Sequence, residues 1–240
     1  MADQAPRYAV YFMPVADSDL YRFGSAVLQY DGYTGRPVAP PDECAADADA
    51  WRKATEEPRR YGFHATLKAP FYLAPSCTEA QLVSAFKSFA ALGRKAAVIE
   101  PEIAMLSGFT ALVPVDAHPA VDALAADCTT IFDAFRAPMS AKERARRLAS
   151  GLNPSQTENL DRWGYPYLFA DFRFHMTLTG RIEADRREPT VAILRRAFER
   201  TCGAKPIAID RLTLVRQDTP EAAFRVLSHA PLIGVRETTC

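Results

Sequence analysis

The chain has 240 residues, 48% hydrophobic and 24% charged, a globular composition able to bury a core without disulfide or metal staples. Its 29 Lys and Arg balance 29 Asp and Glu, and zero net charge excludes a whole-surface basic field for duplex DNA or anionic lipid. At ~150 residues per domain, the length fits one large domain or two fused halves.

Tyr8 to Val15 (YAVYFMPV) predicts a first strand, stopped by Pro14 and then Asp17-Ser18-Asp19. Ser18 or Asp19 caps a helix over 19–29, with Leu20, Phe23, Val27 and Leu28 at helical spacing. Residues 31–41 are turn-rich, and Ala45 to Thr55 is a short, weakly amphipathic helix candidate. Gly62 to Tyr72 predicts a strand that Pro70 weakens near its end. Thr78 to Leu92 places Leu82, Val83, Phe86 and Phe89 on one stripe, closed by Gly93. Ala97 to Leu106 and Phe109 to Val115 form a hairpin around Ser107-Gly108.

The pattern then restarts. A helix is predicted over 118–135, followed by a long insert, 138–170. In that insert Ser140 with Glu143 makes a capping box for a basic helix, and a second helix runs from Asn153-Pro154 to Gly164-Tyr165-Pro166-Tyr167. Phe172 to Arg181 predicts a strand, Pro189 to Thr201 a helix, and 206–216 with 222–229 a closing hairpin.

The five cysteines, Cys44, Cys77, Cys128, Cys202 and Cys240, are odd in number, and no two stand at metal-ligand spacing. Reduced thiols in a cytoplasmic protein are expected, not a disulfide framework or a zinc knuckle. No apolar run reaches the ~20 residues of a membrane span, and Met1 to Arg7 lacks the apolar core of a signal peptide. Cys240 is last in the sequence and does not make a prenylation box.

Each half reads strand, helix, insert, strand, helix, strand, the mark of an internal duplication. The strand after each insert carries the same string. Phe63-His64-Ala65-Thr66-Leu67 and Phe174-His175-Met176-Thr177-Leu178 are both F-H-x-T-L, nearly half the chain apart. Two of the four histidines sharing this context by accident has odds on the order of one in a million. His118 and His229 lack such a partner and read as structural.

Strand side chains alternate faces. Phe63, Ala65, Leu67 and Ala69 share one face, and His64, Thr66 and Lys68 the other; Phe174, Met176 and Leu178 oppose Arg173, His175, Thr177 and Thr179. Two such strands about a pseudo-two-fold axis point two imidazoles into one cleft. One imidazole takes a proton from an attacking water or hydroxyl, and the other gives one to a leaving oxygen. Thr66 and Thr177 suit hydrogen bonds to phosphate oxygens, while Lys68 or Arg173 offsets its charge. No metal and no cofactor is needed. Tyr11 reads as a core-edge residue within reach of the cleft. Trp163, Tyr165 and Tyr167 suit a lid that stacks a base, although loop packing accounts for them better.

Two H-x-T-x strands in a duplicated α+β chain resemble the 2H phosphoesterase superfamily, which includes the RNA 2′,3′-cyclic phosphodiesterases once called 2′-5′ RNA ligases. The string Arg60 to Phe71 (RYGFHATLKAPF) and the start RYAVYF resemble more closely its bacterial branch encoded near carbon–phosphorus lyase genes and labelled as phosphonate metabolism proteins. The resemblance implies a bilobal fold with two antiparallel sheets lining a central cleft and helices outside. One bilobal domain spans 1–240, with lobes near 7–106 and 107–240 that are free to exchange strands. It implies catalysis by His64 and His175, phosphate contacts from Thr66 and Thr177, and no metal. The expected activity is a metal-independent phosphodiesterase acting on a 2′,3′- or ribose cyclic phosphate or a 2′-linked diester. The expected partner is a small phosphodiester or an RNA end, with no duplex DNA, no membrane and a monomer among the allowed states. The rival readings are a non-catalytic RNA- or nucleotide-binding protein and a 2′-5′ RNA ligase. There is no G-x-S-x-G elbow and no Walker A loop.

Overall fold

The computed structural model describes residues 5–45, 47–203 and 205–232, so the reading of Cys240 lies outside the described residues. In chain order the strands are β1 (Arg7–Phe12), β2 (Tyr30–Asp31), β3 (Arg36–Pro37), β4 (Ala65–Tyr72), β5 (Ala97–Ile99), β6 (Pro101–Leu106), β7 (Phe109–Pro114), β8 (Met176–Arg181), β9 (Ile207–Ile209), β10 (Arg211–Gln217) and β11 (Arg225–Pro231). The helices are α1 (Asp19–Leu28), α2 (Asp42–Ala45), α3 (Ala48–Ala54), α4 (Glu56–Arg59), α5 (Glu79–Ala90), α6 (Pro119–Phe132), α7 (Ala141–Leu148), α8 (Pro154–Trp163) and α9 (Arg187–Cys202).

Local chemistry fixes the helix starts. Ser18 Oγ accepts from the Tyr21 amide and caps α1, while Thr78 with Gln81 and Asn153 with Gln156 make reciprocal capping boxes on α5 and α8. The box expected at Ser140 is only half made. Ser140 Oγ accepts from the Glu143 amide, but the Glu143 carboxylate is turned to Arg147, 3.1 Å away. An i,i+4 ion pair has drawn it away from the cap.

The main sheet is antiparallel throughout, in the order β11-β10-β1-β4-β8-β7-β6. It consists of two half-sheets, β11-β10-β1-β4 and β8-β7-β6, joined by the single pair Ala65↔Met176. The two predicted long strands break at Glu100 and Asp210, and their leading pieces pair with each other, Ala97↔Ile209 to Ile99↔Ile207, as a separate ladder of β5 and β9. Their trailing pieces cross over, β6 into the second half-sheet and β10 into the first.

Both motif strands begin later than their alternation predicts, at Ala65 instead of Gly62 and at Met176 instead of Phe172. Gly62 holds φ +71, a left-handed geometry outside an extended strand. Pro70 does not end β4. The pairing of β1 with β4 slips between Tyr8 and Val10, and this bulge takes up the proline, which has no amide hydrogen to offer a ladder.

Helices cover the face of the sheet away from the cleft. Phe63 is fully buried and Phe174 is 6% exposed. The Phe63 ring meets Phe23 of α1 edge-on, and Phe23 meets Phe198 of α9 in the same way. Gly24 makes this approach possible, since a methyl added there would lie 2.0 Å from Phe63 Cγ. In an unencumbered helix Gly→Ala stabilises by ~1 kcal/mol. Here the sign is expected to reverse. Gly24→Ala should destabilise the fold by about 1–3 kcal/mol through overpacking. A lowered urea midpoint at unchanged m checks it, and a raised midpoint would show that Phe63 moves aside freely.

Candidate active site

Antiparallel pairing at Ala65↔Met176 sets the geometry of the site. The flanking positions place His64 beside Thr177 and Thr66 beside His175, all on the cleft side of the joint. The two histidines are then diagonal neighbours across the joint.

Each imidazole is held by its own chain. His64 Nδ1 donates to the Gly62 carbonyl at 2.8 Å, and His175 Nδ1 donates to the Arg173 carbonyl at 2.8 Å. A carbonyl only accepts, so the proton of each neutral ring sits on Nδ1 and Nε2 is left free to accept. The hydroxyl of Thr66 donates to His64 Nε2 at 3.1 Å. Each ring also has an aromatic neighbour on the adjoining strand. Tyr11 of β1 stacks on His64 with centroids 3.7 Å apart, and Phe109 of β7 stands 5.7 Å from His175.

A cleft of about 310 Å³ opens here, lined by His64, Thr177, Tyr61, Phe109, Glu57 and Arg181 among others. Glu57 comes from α4 in the first insert, which lies against β8 so closely that a Cβ on Gly180 would stand 3.3 Å from the Ala54 carbonyl oxygen. The second insert supplies Tyr165, half-buried, with the Arg147 guanidinium 5.6 Å from its ring centre. Trp163 packs on Phe169 and Tyr167 is 43% exposed. Among the described residues no three His, Cys, Asp or Glu side chains gather to hold a metal. Cys44, Cys77, Cys128 and Cys202 are free thiols. No helix is long and apolar enough to cross a membrane.

His64 and Thr177 line the cleft, Thr66 and His175 lie opposite each other across the strand joint, and Lys68 is sent elsewhere. The register steps by one residue between Thr66, opposite Tyr11, and Lys68, opposite Val10. That bulge resets the alternation and turns Lys68 to the helix side. Its ammonium, 3% exposed, pairs with Asp133 at 2.7 Å and donates to the Thr129 carbonyl. The expected phosphate contact from Lys68 is thereby corrected to a buried structural ion pair. Arg173 contributes its backbone carbonyl, while its side chain is exposed. Sequence reasoning missed Glu57, Tyr61, Phe109 and Arg181. Tyr61 stood within the quoted RYGFHATL string, but nothing in periodicity marks a loop residue that turns into a cleft.

A family model described as a protein of unknown function, DUF1045, matches residues 66–225. The chain belongs to this family. The DUF1045 match takes in the second F-H-x-T-L string whole and begins inside the first. The chain is similar to a ribose 1,5-bisphosphate phosphokinase PhnN of Janthinobacterium sp. (strain Marseille), 36% identical over 239 residues, covering 98% of this chain and 53% of that one. Its namesake in Laribacter hongkongensis (strain HLHK9) is 37% identical over 223 residues, covering 92% and 50%. The chain thus spans about half the length of the curated relatives it matches. The crystal structure of E. coli LigT complexed with NADP+ aligns over 96% of this chain and 99% of that one, at 14% identity and a TM-score of 0.41.

The surroundings of both histidines disfavour the charged imidazolium. Burial pushes His64 down to about 4, the nearby His175 adds to the effect, and the Gly62 carbonyl opposes it. Burial also lowers His175, against the Arg173 carbonyl. An unfolded histidine takes up a proton near pH ~6.5. Between there and about pH 4 the unfolded chain therefore holds a proton that native His64 lacks. Stability should accordingly fall as pH drops through this window. Urea midpoints measured from pH 7 to pH 4.5 should decline less steeply in His64→Gln than in the unmodified chain. Equal slopes would show that His64 titrates normally.

Proposed function

We propose that this DUF1045 chain is a hydrolase that opens a ribose cyclic phosphodiester by two-histidine acid–base catalysis. One observation carries the reading: two imidazoles, each pinned through Nδ1 to its own backbone, flank the strand joint beside a Thr on the same face. A neutral Nε2 takes a proton from water as its oxygen attacks phosphorus. The second ring, protonated at Nε2, delivers that proton to the sugar oxygen whose bond to phosphorus breaks. Thr66 and Thr177 donate to the non-bridging oxygens as charge builds there. His64, the more strongly depressed of the two, serves as base, and His175 as acid.

The ribose assignment draws on the relatives, whose name describes phosphorylation of ribose 1,5-bisphosphate. This chain contains no G-x-x-x-x-G-K-[S/T] phosphate loop. Hydrolysis of a ribose 1,2-cyclic phosphate at its bond to O2 leaves a 1-phosphate. With a 5-phosphate already present, the product is the bisphosphate that such a kinase consumes.

Turnover of ribose cyclic phosphates, 2′,3′-cyclic nucleotides and 2′-5′ dinucleotides by the purified chain tests the reading, with the ribose cyclic phosphates expected to react fastest. His64→Ala and His175→Ala should each lose about 10²–10⁴-fold in kcat. The double variant should be little worse than either single, because the two act as a unit. A folded single variant of near-normal activity would overturn the assignment. Because burial depresses both rings, kcat/KM should peak below the ~6.5 of a free imidazole. The kcat profile should peak at higher pH, since a bound phosphate anion favours the imidazolium. Activity should survive excess EDTA, and loss that added metal restores would make the histidines metal ligands.

A further inference from the structure

Behind His64 the cleft face of the first half-sheet carries cationic and aromatic groups that the hydrolytic step does not use. Tyr11 is fully buried, and its hydroxyl has no hydrogen-bond partner. The Phe224 ring stands 6.1 Å from the ring of Tyr11. Arg7 lies on the same face of β1 as Tyr11, set there by the unbroken register with β10. Its guanidinium sits 5.6 Å from the Phe224 ring centre, and Phe224 stacks on Tyr61. The Arg60 guanidinium in turn lies 5.7 Å from the Tyr61 ring centre, and its Nε is buried without a partner.

The two guanidinium groups are braced by neutral atoms alone. Arg7 Nε donates to Gln217 Oε1 at 2.7 Å, and Gln217 Nε2 donates to the Ala222 carbonyl at 2.7 Å and to that of Pro220. Arg60 donates to the same Pro220 carbonyl. Neither arginine has an ion pair among the described residues. The acids of the adjoining loop do not fill the gap, for Asp218 pairs with Arg216, and Glu221 is exposed. Two guanidinium groups without a carboxylate and two unpartnered donors are thus gathered around the Tyr61–Phe224 stack beside His64, and the hydrogen-bond acceptors that hold the guanidinium groups are amide oxygens. A purely structural position at residue 11 would be better served by Phe, which stacks as well and buries no hydroxyl.

We propose that Arg7, Arg60 and the Tyr11 hydroxyl form a subsite for a second, terminal phosphate of the substrate. The proposal rests on the diesterase reading for the first phosphate and makes the substrate a sugar bearing two phosphates, one cyclic and one a monoester. A phosphomonoester dianion accepts several charge-assisted hydrogen bonds at once and suits paired guanidinium donors. Held there, it fixes the distance of the cyclic phosphate from the histidines.

Kinetics with ribose 1,2-cyclic phosphate, with and without a 5-phosphate, test the subsite. The kcat/KM ratio of the two substrates should favour the 5-phosphate at least tenfold. In Arg7→Gln and Arg60→Gln that ratio should fall about 10–100-fold, as expected for losing one charged hydrogen-bonding partner. Tyr11→Phe keeps the ring on His64 and should lower the ratio several-fold; it decides the matter should either arginine variant fail to fold. A ratio near one in the unmodified chain, or one unmoved by the substitutions, overturns the subsite while leaving the diesterase reading intact. Calorimetric titration with ribose 5-phosphate separates the two claims. Binding that Arg7→Gln weakens, in a chain that cleaves no diester, would uphold the subsite and sink the hydrolytic reading. Absence of binding in that chain would sink both.

Discussion

Everything at the site hangs on one backbone contact, the pair Ala65↔Met176. Among the described residues the two half-sheets, of four and three strands, pair only there. Each histidine immediately precedes a member of the pair, so the joint fixes the two imidazole positions relative to each other. Both paired residues are small enough or supple enough to be fully buried, Ala65 at 1% exposed and Met176 at 0%. Beyond them the pairing of the half-sheets stops, and the cleft opens beside the joint, lined by His64 and Thr177 among others. Had the ladder continued, the backbone groups on either side would have been hydrogen-bonded to the facing strand. Instead the Gly62 and Arg173 carbonyls are free to hold imidazoles. The placement of the two imidazoles and the interruption of the sheet are thus the same feature.

A second constraint is burial of the residue before each histidine. Phe63 reaches into the α1–α9 interface through the gap at Gly24, and Phe174 packs against Phe12 with ring centroids 6.3 Å apart. These apolar anchors hold the motif segments from below while the carbonyl bonds hold the rings from within. Tyr11 and Phe109 complete the setting from the neighbouring strands. Burial around the rings lowers the proton affinity of both, most clearly at His64.

Much of this was legible in the sequence because it is periodic and repeated. The two F-H-x-T-L strings, their burial pattern and the helices on either side follow from alternation, apolar stripes and caps. What escaped was set by single-residue departures from period. The bulge between Thr66 and Lys68 leaves no trace in composition, yet it carries Lys68 to the opposite face and to Asp133. The positive φ of Gly62 delays β4 until the histidine has passed. The 45–55 segment, read as one helix, holds α3, shortened to 48–54 by Asp47, which caps its start, and Thr55, which closes it. The cleft's remaining lining comes from loops and inserts, where side-chain direction depends on tertiary packing instead of spacing.

The position of β1 between β4 and β10 has a consequence for how the chain acquires its structure. Arg7 pairs with Gln217, so β1 is completed by a strand 210 residues further along the chain. Contacts of such separation close slowly, because the loop entropy must be met before the ladder rewards it. Until β10 emerges, β1 presents a bare edge with an apolar run from Tyr8 to Met13, the kind of edge that recruits other chains. The fold therefore trades modular assembly for an interlocked one. The first half-sheet closes only when β10 has joined β1 and β4, and the cleft forms only with both half-sheets in place.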